Sequence, residues 1–181
     1  MSARFRPHRL AAAGALLFAL FASTGASAQV VTVTAQLTGG EENPGILTGS
    51  HGNATITVDR AAQKITYRVN VYNLPSGLTA SHIHVGPAGQ NGPIIFNFAV
   101  TQNVSNDFAI VGELRAADLV PRAAQGINSF DDAIMAIASG TAYVNVHSQV
   151  NPSGEIRGQL CPTSAKDNLF NGTAICVSKS Q

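Results

Sequence analysis

A two-residue alternation of apolar and polar side chains, recurring in short runs, restricts the fold of this chain more than any other feature. In Ala54-Thr55-Ile56-Thr57-Val58 apolar residues alternate with threonines, and after a polar turn over residues 59–63 the pattern returns at Ile65, Tyr67, Val69 and Val71. Successive side chains of a strand point to opposite faces, so this is the signature of a half-buried β-hairpin. Residues 30–37, 79–85, 94–100, 108–114, 141–147 and 155–160 read as further strands, with turn signals at Leu74-Pro75-Ser76-Gly77 and Asn151-Pro152-Ser153-Gly154. The stretch 115–140 breaks the pattern. There Ser129 supplies an N-cap, Asp131 and Asp132 the acidic first turn, residues 133–138 helix-compatible side chains, and Gly140 a stop, which predicts one short inserted helix. About eight strands at short spacing predict an all-β domain, a sandwich or a Greek-key barrel.

Residues 1–28 have the form of a secretory signal. Arg4, Arg6 and Arg9 are followed by an apolar run over 10–21, and Ala26-Ser27-Ala28 fits the small-x-small cleavage rule. The apolar run is shorter than the roughly 20 residues a membrane helix needs. Cleavage after Ala28 would leave 153 of 181 residues, enough for one β domain over 29–161 followed by a tail over 162–181. Losing three of eleven basic residues leaves eight against ten acidic ones, so the exported chain is mildly acidic. With no basic patch and no second apolar segment, neither nucleic acid nor a membrane span is expected as a partner. Three tyrosines and no tryptophan leave no ladder for stacking bases.

Export also places Cys161 and Cys176 where disulfides persist. A bridge between them would close a short loop, worth roughly 3 kcal/mol in the chain-entropy model, and would tie down the tail. Their spacing is not that of a Cys-x-x-Cys metal site.

Three of the four histidines outside the leader stand at two places: His82 and His84 in Ser81-His82-Ile83-His84-Val85, and His147 at the end of Tyr143-Val144-Asn145-Val146-His147. On a strand His82 and His84 share one face about 6.6 Å apart. Neutral imidazole is the commonest metal ligand, so a site for copper or zinc made by His82, His84 and His147 competes evenly with ordinary partly buried histidines. His51 is a candidate fourth ligand, but a loop residue on the simpler reading. Tyr143 and Asn145 share the face of His147 and would be natural neighbours of such a site. Glu155 and Arg157 share a face too and are expected to form a structural ion pair, with Glu41 or Glu42 as further partners of Arg157. Gly86, Gly89 and Gly92 read as backbone turns, since no Lys-Ser/Thr follows them. No nucleophile or metalloprotease motif is present, and the carboxylate pairs Glu41-Glu42 and Asp131-Asp132 sit in a loop and at a helix start, so no catalytic residue is expected.

Four ordered motifs carry a resemblance: Leu37-Thr38-Gly39-Gly40-Glu41-Glu42-Asn43-Pro44, His82-Ile83-His84-Val85-Gly86-Pro87-Ala88-Gly89, Gly140-Thr141-Ala142-Tyr143-Val144-Asn145-Val146-His147 and Gly154-Glu155-Ile156-Arg157-Gly158-Gln159-Leu160. Together they resemble the CHRD domain, the module named from chordin that also occurs singly in secreted bacterial proteins. The resemblance implies an immunoglobulin-like or barrel-like β fold and a secreted or periplasmic location, without defining a biochemical activity. A second resemblance is architectural. The His-x-His strand, a later strand histidine and Arg157 before Cys161 are similar to the copper side of copper-zinc superoxide dismutases, whose zinc subloop has no counterpart here. Three functional expectations follow: a secreted metal-binding β domain, an interaction module for an extracytoplasmic protein partner, and a superoxide dismutase-like redox enzyme.

Overall fold

A computed structural model describes residues 30–74, 77–101 and 105–163. The expected leader, the tail beyond Thr163 and Cys176 lie outside the described residues.

The strands are β1 (Val30–Thr38), β2 (His51–Asp59), β3 (Lys64–Tyr72), β4 (Leu78–Val85), β5 (Ile94–Asn97), β6 (Phe108–Arg115), β7 (Ala142–Ser148), β8 (Ile156–Gln159) and β9 (Cys161–Pro162), with one helix, α1 (Phe130–Ala138), before β7. The alternating run forms the β2–β3 hairpin in the register Asp59↔Lys64 to His51↔Tyr72. Asp59 closes its turn by accepting the Ala62 amide at 2.9 Å, and Gln63 takes the left-handed conformation at φ 47°. Every strand pairing is antiparallel, in the spatial order β5-β4-β7-β8-β1-β2-β3-β6, with β9 beside β1. This is the all-β sandwich or barrel that the strand spacing predicts.

Side-chain contact curls the sheet so that its two ends approach each other. Tyr67 of β3 stacks on Phe98, just past β5, with ring centroids 4.1 Å apart, and its hydroxyl accepts the Ala99 amide at 3.1 Å. This contact also explains why β5 is shorter than the expected 94–100: the Phe98 amide still donates to the Ser81 carbonyl of β4 at 2.9 Å, but the Ala99 amide already turns to Tyr67. The open edge of β5 is covered by the following segment, where the Val120 amide donates to the Ile95 carbonyl and Arg122 Nε to the Ile94 carbonyl at 2.7 Å.

One apolar core fills the curl, built from the inward residues of the strands, such as Val33, Leu37, Ile56, Ile65, Ile83, Val144 and Ile156, all fully buried. Helix α1 adds Phe130, Ala133, Ile134 and Ile137, an i, i+3, i+4, i+7 stripe that faces β1, β7 and β9. Its start is the expected one: Ser129 Oγ accepts the Asp132 amide and Asp132 accepts the Ser129 amide, a reciprocal cap. The pairing of β4 with β7 matters most for function. It sets the core residues Ile83, Val85, Val144 and Val146 on one face and the histidines on the other.

Candidate metal centre

Strand periodicity puts His82 and His84 on the same side of β4, and the register supplies the third imidazole. His82 lies opposite Asn145, His84 opposite Tyr143, and Ala80 opposite His147. His147 is therefore the diagonal neighbour of His82, within reach of a long side chain on the same face. The potential ligand atoms of His82, His84 and His147 all lie within 4.8 Å of one another. The sequence expectation that these three converge holds.

Backbone carbonyls set the orientation of two rings. His84 Nδ1 lies 2.9 Å from the Gly92 carbonyl, and His147 Nδ1 lies 2.9 Å from the Pro152 carbonyl. A carbonyl only accepts, so each Nδ1 carries the proton and each Nε2 is left with its lone pair. His147 Nε2 then accepts from His82 Nδ1 at 3.0 Å. His84 Nε2 is buried and has no hydrogen-bond partner among the described residues. Fixing the tautomer through the remote nitrogen is what the outer partners of a metal-bound histidine do.

The rings are also held neutral. Burial lowers His82 to about 4, helped by His147 and His84, and burial lowers His84 to about 4 against the opposing Gly92 hydrogen bond. His147 is lowered by burial as well. Three neutral imidazoles whose ring nitrogens lie this close together are a potential nitrogen donor set.

The CHRD domain model matches residues 33–160, the span that holds all four motifs, most of β1 and the whole of β2 to β8. The chain belongs to the CHRD family. CHRD domains are of an extracellular type, and no helix among the described residues is long and apolar enough to cross a membrane. No curated protein matches the chain.

Within this CHRD domain the other expected site residues divide. Tyr143 stacks on His84 with centroids 4.9 Å apart and planes within 9°, and its hydroxyl accepts the Gly92 amide at 3.0 Å. It thus braces both the ring and the loop that orients it. Asn145 turns to Glu42 instead, donating to its carboxyl at 2.6 Å. His51 is no fourth ligand: it is exposed, bonds the Gly49 carbonyl at 3.1 Å and stacks on Tyr72, outside the cluster. Its place at the start of β2, across the sheet from β4, accounts for this.

Glu155 and Arg157 do not pair, which corrects the expected ion pair. Glu155 precedes β8, and its carboxylate accepts from Ser50 at 3.0 Å, Ser148 at 2.7 Å, Asn151 at 2.6 Å and also from Thr48. Burial pushes it up, but these hydrogen bonds outweigh burial and hold it below the usual carboxylate range. Arg157 instead donates through Nε to the Glu41 carbonyl and through Nη1 to Asn91 Oδ1 at 2.8 Å, and lies over the Tyr143 ring at 4.7 Å. Cys161 opens β9, but the expected bridge involves Cys176 and so lies outside the described residues.

Sequence reading offered Glu42 only as a partner of Arg157 and missed its burial, and it missed the two orienting carbonyls. Glu42 is 6 % exposed, and burial pushes its carboxyl up to about 7 against the pull of Arg157 and Asn145. Gly154, at φ 144°, leaves room for it, since a Cβ there would lie 2.7 Å from Glu42 Oε1. A glycine in the Asn-Pro-Ser-Gly turn was the available signal. The carbonyls of Gly92 and Pro152 carry no residue-type signal, only a turn beside a histidine.

Proposed function

We propose that this CHRD domain is a secreted or periplasmic protein that binds one transition-metal ion, copper or zinc, through His82, His84 and His147. The observation that carries the reading is the pair of carbonyl-fixed tautomers, which leaves His84 Nε2 buried and unbonded in a cluster whose potential ligand atoms lie within 4.8 Å of one another. A buried polar atom without a partner costs about 1–3 kcal/mol, and a metal ion would remove that cost. Nitrogens bound to one tetrahedral ion at 2.0–2.1 Å lie about 3.3 Å apart. The 3.0 Å separation of His82 Nδ1 and His147 Nε2 suits this once an ion replaces the proton between them and His82 carries its proton on Nε2 instead, and rotation of the His84 ring would close the rest. Three imidazoles leave a coordination position for water or an outside ligand. Imidazole without thiolate suits both ions, and the affinity order favours copper. The leader-like sequence of residues 1–28 supports export.

Calorimetric titration of the purified, chelator-stripped protein with Cu(II) and with Zn(II) tests this. One equivalent should bind, and His82→Ala, His84→Ala and His147→Ala should each abolish or strongly weaken binding. A folded protein that takes up neither ion leaves the interaction-module reading in its place.

A further inference from the structure

Beside His84 the surface opens into a cleft of about 450 Å³ whose lining includes Glu42, Pro44, Ile46, Tyr143, Asn145 and Arg157. Its unusual member is Arg157. The residue is 3 % exposed, yet none of the ion pairs among the described residues involves it. A buried charge normally has a counter-ion, because desolvation is costly. Two of its nitrogens are spent on neutral acceptors, Nε on Glu41 and Nη1 on Gln90 and Asn91, while Nη2 takes no hydrogen-bond partner among the described residues. Glu42 is near enough for Arg157 to act on it, but its burial keeps it from being a fully ionised counter-ion near neutral pH.

We infer that the cleft is a binding site for a small organic acid, whose carboxylate is held by Arg157 Nη2 and whose carbon body lies against Pro44, Ile46 and Tyr143. A guanidinium already fixed by two hydrogen-bonding nitrogens and a ring face loses little freedom when it takes an anion. Bonds between a guanidinium and a carboxylate are about twice as strong as neutral ones. The apolar wall decides for an organic acid over a bare oxoanion, since phosphate has nothing to bury there. The cleft borders the histidine cluster and shares His84 with it, but its anchor is a different residue. Arg157 stands on β8 and His84 on β4, on either side of β7, so two strand spacings of about 4.8 Å each separate their backbones. It does not depend on the metal.

Metal-stripped protein titrated with butyrate and, separately, with inorganic phosphate at constant ionic strength tests the inference without touching the metal reading. Butyrate should bind saturably, and phosphate about tenfold more weakly or not at all. Arg157→Gln should abolish butyrate binding and Arg157→Lys weaken it about tenfold. Because Arg157 also braces two loops, Ser153→Asp serves as the second variant: it sets a carboxylate on the cleft wall that competes for Arg157, and should also suppress binding. No saturable binding of butyrate, phosphate bound as tightly as butyrate, or unchanged butyrate affinity in folded Arg157→Gln or Ser153→Asp protein would each overturn it.

Discussion

The β2–β3 hairpin and the β4–β7 pair follow the same alternation, yet their outer faces differ. In the hairpin that face carries Thr55 opposite Arg68 and Asn53 bonded to Asn70 at 2.9 Å, with Thr55 and Arg68 exposed. In the β4–β7 pair it carries His82, His84, Tyr143, Asn145 and His147, and every residue of β7 is buried. The cover comes from loops pinned by polar groups: the 86–93 loop through Gly92, the 149–155 loop through Glu155 and Pro152, and the 39–50 loop through Glu42 and Thr48. One face of a sheet suffices for a core. Burying the second face, with polar side chains on it, is an added cost that the core alone does not require.

The largest effect that sharpens this contrast is expected at Glu155. Glu155→Ala leaves the donors of Thr48, Ser148 and Asn151 without this acceptor, while Ser50 keeps the Asn73 carbonyl, and should lower unfolding free energy by about 3 kcal/mol or more in urea denaturation. Glu113 of β6, half exposed and 3.4 Å from both Lys64 and Arg115, is the counterpart outside the covered face. Glu113→Ala should cost no more than about 0.5 kcal/mol. Equal costs would break the comparison.

Next in size is stabilisation by metal. A ligand that binds only the folded state at 100 times its Kd adds about 2.7 kcal/mol. Copper or zinc at that excess should raise the melting temperature of the wild-type protein and of His51→Ala alike, and leave His84→Ala unmoved. A loss of the rise in His51→Ala would return that residue to the site.

Smaller still is the pH dependence of the metal-free protein. His82 and His84 titrate near 4 when folded and near 6.5 when unfolded, so between these values the unfolded chain binds more protons. Their contribution is complete above about pH 6.5 and is lost as pH falls toward 4. Glu42 runs the other way: with a folded value of about 7 against 4.5 unfolded, its contribution is complete below 4.5 and lost as pH rises through 7. Urea midpoints should therefore fall on both sides of a maximum. His84→Gln should flatten the acid limb and Glu42→Gln the neutral one; limbs unchanged by both substitutions would show that these groups do not set the profile.

These differences mark what could be read from the sequence. Alternation specifies inward and outward residues, so the hairpin, the helix between Ser129 and Ser139 and the shared face of His82 and His84 were all legible. Pairing between β4 and β7, some 60 residues apart, leaves only a weak local trace, and His147 joined the cluster because its motif ended a strand of the right kind. Glu155 and Arg157 misled because period-two reasoning assumes both residues lie in the same strand, whereas β8 begins at Ile156. Glu42 was legible as a partner of Arg157 but its burial was not, because a loop carboxylate gives no sign of burial until the loop's position is known.

The smallest effect separates the brace from the donor set. Tyr143→Phe keeps the ring on His84 and removes only the hydroxyl that accepts the Gly92 amide. A single hydrogen bond of this kind is worth about 0.5–1.5 kcal/mol, and stability in urea should fall by that amount. The Gly92 loop has a second restraint, because the Val85 amide donates to the Pro93 carbonyl at 3.0 Å. The carbonyl that orients His84 should therefore stay in place, and affinity for Cu(II) or Zn(II) should change by less than about tenfold, since tenfold is already 1.4 kcal/mol. A large loss of affinity at unchanged stability would make the Tyr143 hydroxyl part of the binding site itself. A loss of both in proportion would show that β4, β7 and the glycine loop move as one unit.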